Sequence, residues 1–321
     1  MKRPLRHTLH IVSGKGGTGK TTVAAALACA LATSGRKILL CEVEGRNGIS
    51  ELFQVPDLVK DKERRVSRTP AGGAVYGLAI DAEDALLEYL DTFYRLGLAG
   101  RALDRFGVVD FVTSIAPGLR DVLLTGKVYE AVRRGEKKLP TAYDAVVLDA
   151  PPTGRIAQFL NVHEAVAGLA RMGPIRKQAD SIMRVLRSST TVVHLVTLLE
   201  DMPVSETEEA LAALRPTRIQ VGTVIENMVI PSPLDHDQLV AVAKSEMTFH
   251  VRGLSPKQNL ALAAEFAVGA ENALQQQRRH ERLGKLSVPL VQIDFDPGGI
   301  DEGSILAIAD QLTGQLELEA A

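Results

Sequence analysis

Seven short runs of the chain are continuously apolar instead of apolar at every second position: LHIVS (9–13), KILLCEV (37–43), AVYGLAI (74–80), DAVVLDA (144–150), TVVHLV (191–196), RIQVGTVI (218–225) and VPLVQI (288–293). A strand with one wet face alternates, whereas a strand buried on both faces does not. Helical stretches separate most of the runs. Strands alternating with helices predict a parallel sheet covered on both sides, a doubly wound α/β fold. One segment breaks the rhythm. Residues 81–135 place Leu86, Leu90, Phe93 and Tyr94, then Phe106, Val109 and Phe111, in a helical pattern with no convincing central strand. They predict a helical insertion over one end of the sheet, within a single domain of residues 1–321. The basic, glutamine-rich QQQRRHERLGK (275–285) predicts the solvated end of a long helix beginning near Pro256.

Composition narrows the class. A chain of 321 residues, 45% hydrophobic and 24% charged, is ordinary globular material with enough length for one large α/β domain. A net charge of −2 gives no footprint for nucleic acid. The two cysteines, Cys29 and Cys41, lie in no CxxC or Cys/His cluster, which argues against a zinc or disulfide framework and fits a reducing compartment. The apolar stretch near the start runs only from Leu9 to Val12, and the longest apolar run, Val23 to Ala32, is too short to span a bilayer. The expectation is a soluble cytoplasmic protein, not an integral membrane one.

The first strand run leads into GKGGTGKTT, in which Gly14, Gly19, Lys20 and Thr21 match G-x-x-x-x-G-K-[ST] between a predicted strand and a predicted helix. In such a loop the glycines, with Gly16, Gly17 and Thr18 between, let backbone N–H groups wrap a phosphate, and the helix start adds a favourable dipole. Lys20 then reaches the β/γ-phosphates, the Thr21 hydroxyl ligates Mg²⁺, and Thr22 meets the α-phosphate. VVLDAPPTGR ends a strand at Asp149, a position suited to holding Mg²⁺ through water, with Gly154 in the following turn near the phosphate. A second strand ends in CEVEG, and its alternation puts Glu42 and Glu44 on one face. The fold expectation becomes that of a P-loop NTPase, its mostly parallel sheet flanked by helices.

The lysine that opens the glycine run, Lys15, makes KGGTGKTT resemble the deviant P-loop of a family of dimeric ATPases. That family includes division-site and partition ATPases, the nitrogenase iron protein, arsenical-pump ATPases and the ATPases that target tail-anchored membrane proteins. The resemblance implies that Lys15 reaches across a dimer interface to the partner's nucleotide, a cation delivered in trans. A solvated surface lysine is the plainer alternative. DAPPTGR and EGRNGISELF look like the two switch loops of the arsenical-pump and targeting branch, and the likeness extends to SIAPGLRD (114–121) and LLEDMPVSETEEALAAL (198–214). IENMV (225–229) resembles the point where that branch reads adenine, which makes Asn227 the base contact and the loop from Pro289 to Asp296 the closing wall.

The same resemblance assigns Glu44 to the attacking water, where the family usually has aspartate; Gly45, Arg46 and Asn47 also replace its usual Pro-Ala-His. A carboxylate misplaced by about 1 Å costs about 10²-fold, so slow hydrolysis to ADP and phosphate is expected. Cysteine placement excludes the iron–sulfur and arsenite branches. No CxxC is present to zinc a dimer together, and the tail is acidic where division-site ATPases carry a basic membrane helix. His236, between Asp235 and Asp237, reads as a helix N-terminus in preference to a metal ligand, and His163, His194 and His250 have no recognisable partners. Residues 86–112 could form a client groove, but the absence of methionine from 81–135 favours core packing of the insertion. The sequence therefore points to a MgATP-binding ATPase that works as a homodimer or with an unlike paralogue, acting on a protein client. A nucleotide-gated binding protein with vestigial turnover and a P-loop metabolite kinase are the alternatives.

Overall fold

Strand β1 (Leu9–Gly14) is buried along its whole length and occupies the middle of an eight-stranded sheet. The computed structural model describes residues 5–43, 47–70, 72–86, 88, 117–137, 139–162, 174–247 and 250–318. Around β1 stand β2 (Lys37–Glu42), β3 (Arg64–Arg68), β4 (Ala74–Ala79), β5 (Ala145–Asp149), β6 (Thr191–Thr197), β7 (Val221–Val229) and β8 (Leu290–Asp294). Their order is β3-β4-β2-β5-β1-β6-β7-β8. Every pair is parallel except β3–β4. The chain leaves β1 for β2 on one side and later returns past β1 to β6 on the other. The reversal puts a crevice at the carboxyl ends of the central strands, where open α/β sheets bind ligands.

The uninterrupted apolar runs are explained by two cores. Ile38 and Leu40 of β2, with Ala145 and Val147 of β5, face α1 (Lys20–Leu31) and a C-terminal helix, Glu302–Gln315. Leu39, Cys41, Val146 and Leu148 face the other way. There they meet α3 (Pro117–Glu136), α4 (Thr153–Leu160), α5 (Pro174–Leu186) and α6 (Asp201–Leu214). Short α2 (Gly48–Leu52) follows β2. Then come α7 (His236–Ala243), α8 (Pro256–Gly284) and α9, the C-terminal helix already given. In α1 the alanines at 24, 25, 26, 28 and 30 are all buried, so this helix lies close between the sheet and α9.

Two elements differ from the sequence expectation. β3, RRVSR, is an antiparallel edge strand with a bulge between Arg65 and Ser67. Its arginines leave no apolar run to read, and they suit an edge that must not pair further. β7 begins three residues later than the run at 218 and extends to Val229, because Arg218 takes a left-handed conformation, φ 61°, after a 3-10 turn.

Of the segment 81–135, residues 82–86 are helical and α3 packs Val122, Leu124 and Val128 onto the sheet core beside β5. Leu90, Phe93, Tyr94, Phe106, Val109 and Phe111 lie outside the described residues, as does His163. The basic end of α8 is engaged, not merely solvated. Arg279 grips both oxygens of Asp201 at 2.9 and 3.1 Å, Arg282 pairs with Glu208, and His280 holds the buried Glu226 carboxylate of β7 at 2.8 Å. Arg278, Glu281 and Arg282 are exposed there, and so is much of the first half of α8, with Leu260 74% and Val268 60% accessible. His236 opens α7 behind a capping box made by Asp235 and Gln238, and its Nδ1 meets Gln277 Oε1 at 2.9 Å. Among the described residues no helix is long and apolar enough to cross a membrane.

His194 does have a partner. On adjacent strands, the rings of His10 and His194 stack with centroids 5.5 Å apart, and His10 Nδ1 lies 3.2 Å from His194 Nε2. His10 Nε2 donates to the His7 carbonyl at 3.3 Å, so its Nδ1 accepts and His194 carries its proton on Nε2. Burial pushes His194 down to about 4 and holds His10 well below the usual range. The unfolded chain thus binds protons below pH 6.5 that the folded chain refuses, and stability falls with falling pH. The thermal midpoint should drop between pH 7.5 and pH 5, and His194→Gln should flatten that dependence; an unchanged slope in scanning calorimetry would count against the pair as its source.

Candidate functional site

The loop between β1 and α1 is shaped by contacts that leave no room for side chains. A Cβ on Gly14 would lie 2.2 Å from the Val196 carbonyl oxygen at the tip of β6. Gly19 is left-handed, φ 82°, and a Cβ there would lie 2.4 Å from Asn227 Nδ2. Both positions therefore demand glycine. Gly16 and Gly17 face open space. Thr18 closes the turn, its Oγ1 donating to the Lys15 carbonyl at 2.9 Å, and Asn227 Nδ2 donates to the Thr18 carbonyl at 2.9 Å. Lys20 is buried at the first turn of α1, and Thr22 is half-buried just beyond it.

Thr21 Oγ1 donates to Asp149 Oδ2 at 2.7 Å, which brings the start of α1 onto the tip of β5. Glu42 is the register partner of Asp149 on β2 and is 4% exposed. Its Oε2 accepts from the Ile49 N–H at 3.1 Å, with the N–H groups of Gly48 and Asn47 also directed to it. The carboxylate thus caps α2, whose own N-cap residue Asn47 makes no side-chain cap. Burial raises the Glu42 carboxyl above its usual range, and those backbone donors pull it back. Glu44, Gly45 and Arg46 lie outside the described residues.

After Asp149 the chain is held to the P-loop strand by Ser13 Oγ, which donates to the Pro151 carbonyl at 2.7 Å. Gly154 sits exposed on the first turn of α4 with open space around its Cα. The next residue, Arg155, approaches the buried Asp121 carboxylate at 3.5 Å, so DAPPTGR and SIAPGLRD meet in space. The segment LLEDMPVSETEEALAAL meets DAPPTGR through Glu206, which accepts from Thr153 Oγ1 at 3.2 Å and whose other oxygen lies 2.9 Å from Lys15 Nζ.

The expected segment Pro289–Asp296 runs from one edge of the sheet to the other. Asn227 stands beside the loop, but Pro289 does not. Pro289 precedes β8 at its amino end, where its carbonyl accepts from Val224 N–H at 2.9 Å. In a parallel sheet the P-loop edge is the carboxyl edge, so the wall at this level comes after Asp294. The residue there is Phe295, 47% exposed, its N–H bonded to the Val229 carbonyl at 2.8 Å. Beside Asn227, Met228 is left-handed at φ 56° in a bulge between β7 and β8, with its Cε 3.7 Å from where a Gly19 Cβ would be. The thiols of Cys29 and Cys41 are pushed up by burial, Cys29 to about 12, so both are inert.

The sequence profile of the anion-transporting ATPase family matches residues 7–192. ATPase BagA of Mycobacterium tuberculosis is 47% identical over 320 residues, covering 96% of this chain and 93% of that one. ATPase GET3 of Kluyveromyces lactis is 24% identical over 264 residues, 71% of this chain and 74% of that one. ATPase ARSA1 of Chlamydomonas reinhardtii is 24% identical over 311 residues, 77% of this chain and 39% of that one.

Two substitutions test the loop itself. Gly14→Ala drives a methyl into backbone and should cost about 1–3 kcal/mol in urea unfolding. Asn227→Ala removes the donor to Thr18 and should cost about 1 kcal/mol. A wild-type midpoint for Gly14→Ala would mean that the β6 tip is not packed on the loop.

Proposed function

The chain belongs to the anion-transporting ATPase family, and from that premise we propose that it is a dimeric P-loop ATPase. In this reading it binds MgATP, hydrolyses it slowly to ADP and phosphate, and uses ATP-driven dimer closure to control the binding of a client protein in the cytoplasm. The observation that carries the reading is the convergence of Thr21 and Asp149 at 2.7 Å beneath a loop that only glycine can form at Gly14 and Gly19. A hard cation prefers such hydroxyl and carboxylate oxygens, and the cradle matches a phosphate in its lack of side chains.

Lys20 neutralises the β/γ-phosphates, Thr22 meets the α-phosphate, and Gly14 through Gly19 offer backbone N–H groups. Thr21 ligates Mg²⁺ directly and Asp149 holds it through water. When bound, the ion offsets the charge that grows on the departing phosphoryl oxygens. Asn227 offers its amide to adenine, and Phe295 gives the base an aromatic face. Glu44 orients the attacking water, and Lys15 serves the nucleotide of a facing subunit, either a second copy or a paralogue. Glu44 in the place of the family's aspartate favours one second reading, a nucleotide-gated binding protein whose turnover is vestigial.

Calorimetric titration separates these roles. Lys20→Ala should weaken MgATP binding at least tenfold, and Phe295→Ala should weaken ATP more than it weakens inorganic triphosphate. Wild-type affinity in Lys20→Ala would sink the site. Glu44→Gln should keep binding and lower phosphate release below the wild-type rate. Equal and measurable release in both proteins would remove Glu44 from the chemistry.

A further inference from the structure

Lys15 is already engaged within its own subunit. Its ammonium lies 2.9 Å from Glu206 Oε1, with the two side chains 26% and 31% exposed. The second oxygen of that carboxylate accepts from Thr153 Oγ1 at 3.2 Å. Glu206 stands on α6, and Thr153 is the first residue of α4, four positions after Asp149. One carboxylate therefore holds both the lysine that opens the P-loop and the end of the segment that leaves the β5 tip. The backbone at Lys15 is fixed, because its carbonyl accepts from both the hydroxyl and the N–H of Thr18. Only the side chain of Lys15 can change partner. Glu208, two positions further along α6, is paired with Arg282.

A cation that neutralises a glutamate cannot at the same time serve a phosphate. Resting on the dimer reading above, we propose that Glu206 is an intramolecular latch that restrains Lys15 in the free subunit and links its release to the segment after Asp149. Closure on ATP requires Lys15 to exchange the Glu206 carboxylate for the phosphates of the facing subunit. The exchange leaves Glu206 with a neutral hydroxyl as its partner. A half-buried carboxylate that loses its cation draws more strongly on the donor that remains, so Thr153 and the first turn of α4 respond when the lysine departs. The latch sets the concentration at which subunits close and suppresses closure in the absence of nucleotide. It makes Glu206 a positioning residue, acting through Lys15 without touching the nucleotide.

Glu206→Gln keeps the length of the side chain and an acceptor for Thr153 but removes the charge. In nucleotide-free subunits, acylation of Lys15 by an N-hydroxysuccinimide ester, read by peptide mass spectrometry, should be several-fold faster in Glu206→Gln than in wild type. With MgATP the variant should associate at about tenfold lower protein concentration in sedimentation velocity, since two such pairs are broken per dimer. In a Lys15→Ala background the same substitution should change association less than about twofold, which separates a latch from a general loosening of α6. Equal labelling of Lys15 in wild type and Glu206→Gln would overturn the tether. Faster labelling with unchanged or weaker association would overturn the restraint. Absence of MgATP-dependent association in every variant would overturn the dimer reading and the latch with it, and the labelling result distinguishes that failure from loss of the tether.

Discussion

The hydrogen bond from Thr21 to Asp149 imposes the geometry that the rest of the site obeys. β1 and β5 are neighbours, with Val12 opposite Asp149. For a residue of α1 to reach Asp149, the chain must rise past the β1 tip, reverse within five residues and come down over the adjacent strand. That path presses the loop against the β6 carbonyl at Val196 and against Asn227 of β7, which excludes side chains at Gly14 and Gly19. It also sends α1 across the sheet so closely that alanine fills half of its buried positions. The phosphate cradle, the tight helix–sheet packing and the placement of the two oxygen donors are consequences of one short connection.

The groups around this connection are tied by carboxylates, each joining pieces far apart in sequence. Glu42 on β2 caps α2, Glu206 on α6 joins Lys15 to Thr153, and Asp121 on α3 meets Arg155 on α4. Glu226 on β7 is fully buried and receives both His280 of α8 and Gln292 of β8. Charged hydrogen bonds in partly dry surroundings are strong. They tie the rim together across distant segments, while the two apolar cores beneath it hold the sheet.

How much of this could be read from residues alone depended on the range of the interaction. Continuous apolar runs located seven strands because burial on two faces leaves a local trace. The β3 strand left none, being an arginine-rich edge, and it was invisible for that reason. The loop after β1 was recognisable because Gly14, Gly19, Lys20 and Thr21 fall within eight consecutive residues. Glu206 was not, since a glutamate on an amphipathic helix looks the same whether it faces water or a lysine 191 positions earlier. Pro289 illustrates strand direction: β8 puts it at the amino edge of the sheet and Phe295, in the same segment, at the carboxyl edge. The histidine pair was missed because cross-strand neighbours 184 positions apart share no pattern.

α8 is attached unevenly. Arg279, His280 and Arg282 bind its last turns to α6 and β7, and Gln276 receives the N–H of Ile230 just past the end of β7. The twenty residues ahead of Gln276 extend about 30 Å further, with α7 packed along them through Leu239, Val242, Ala270 and Leu274. Mechanically this is a cantilever whose root touches the strand that carries Asn227. A tilt of about 5° at the root displaces the tip by about 2.5 Å over that length, so a movement too small to disturb the packing of β7 becomes, at the far end of α8, as large as half a helical turn.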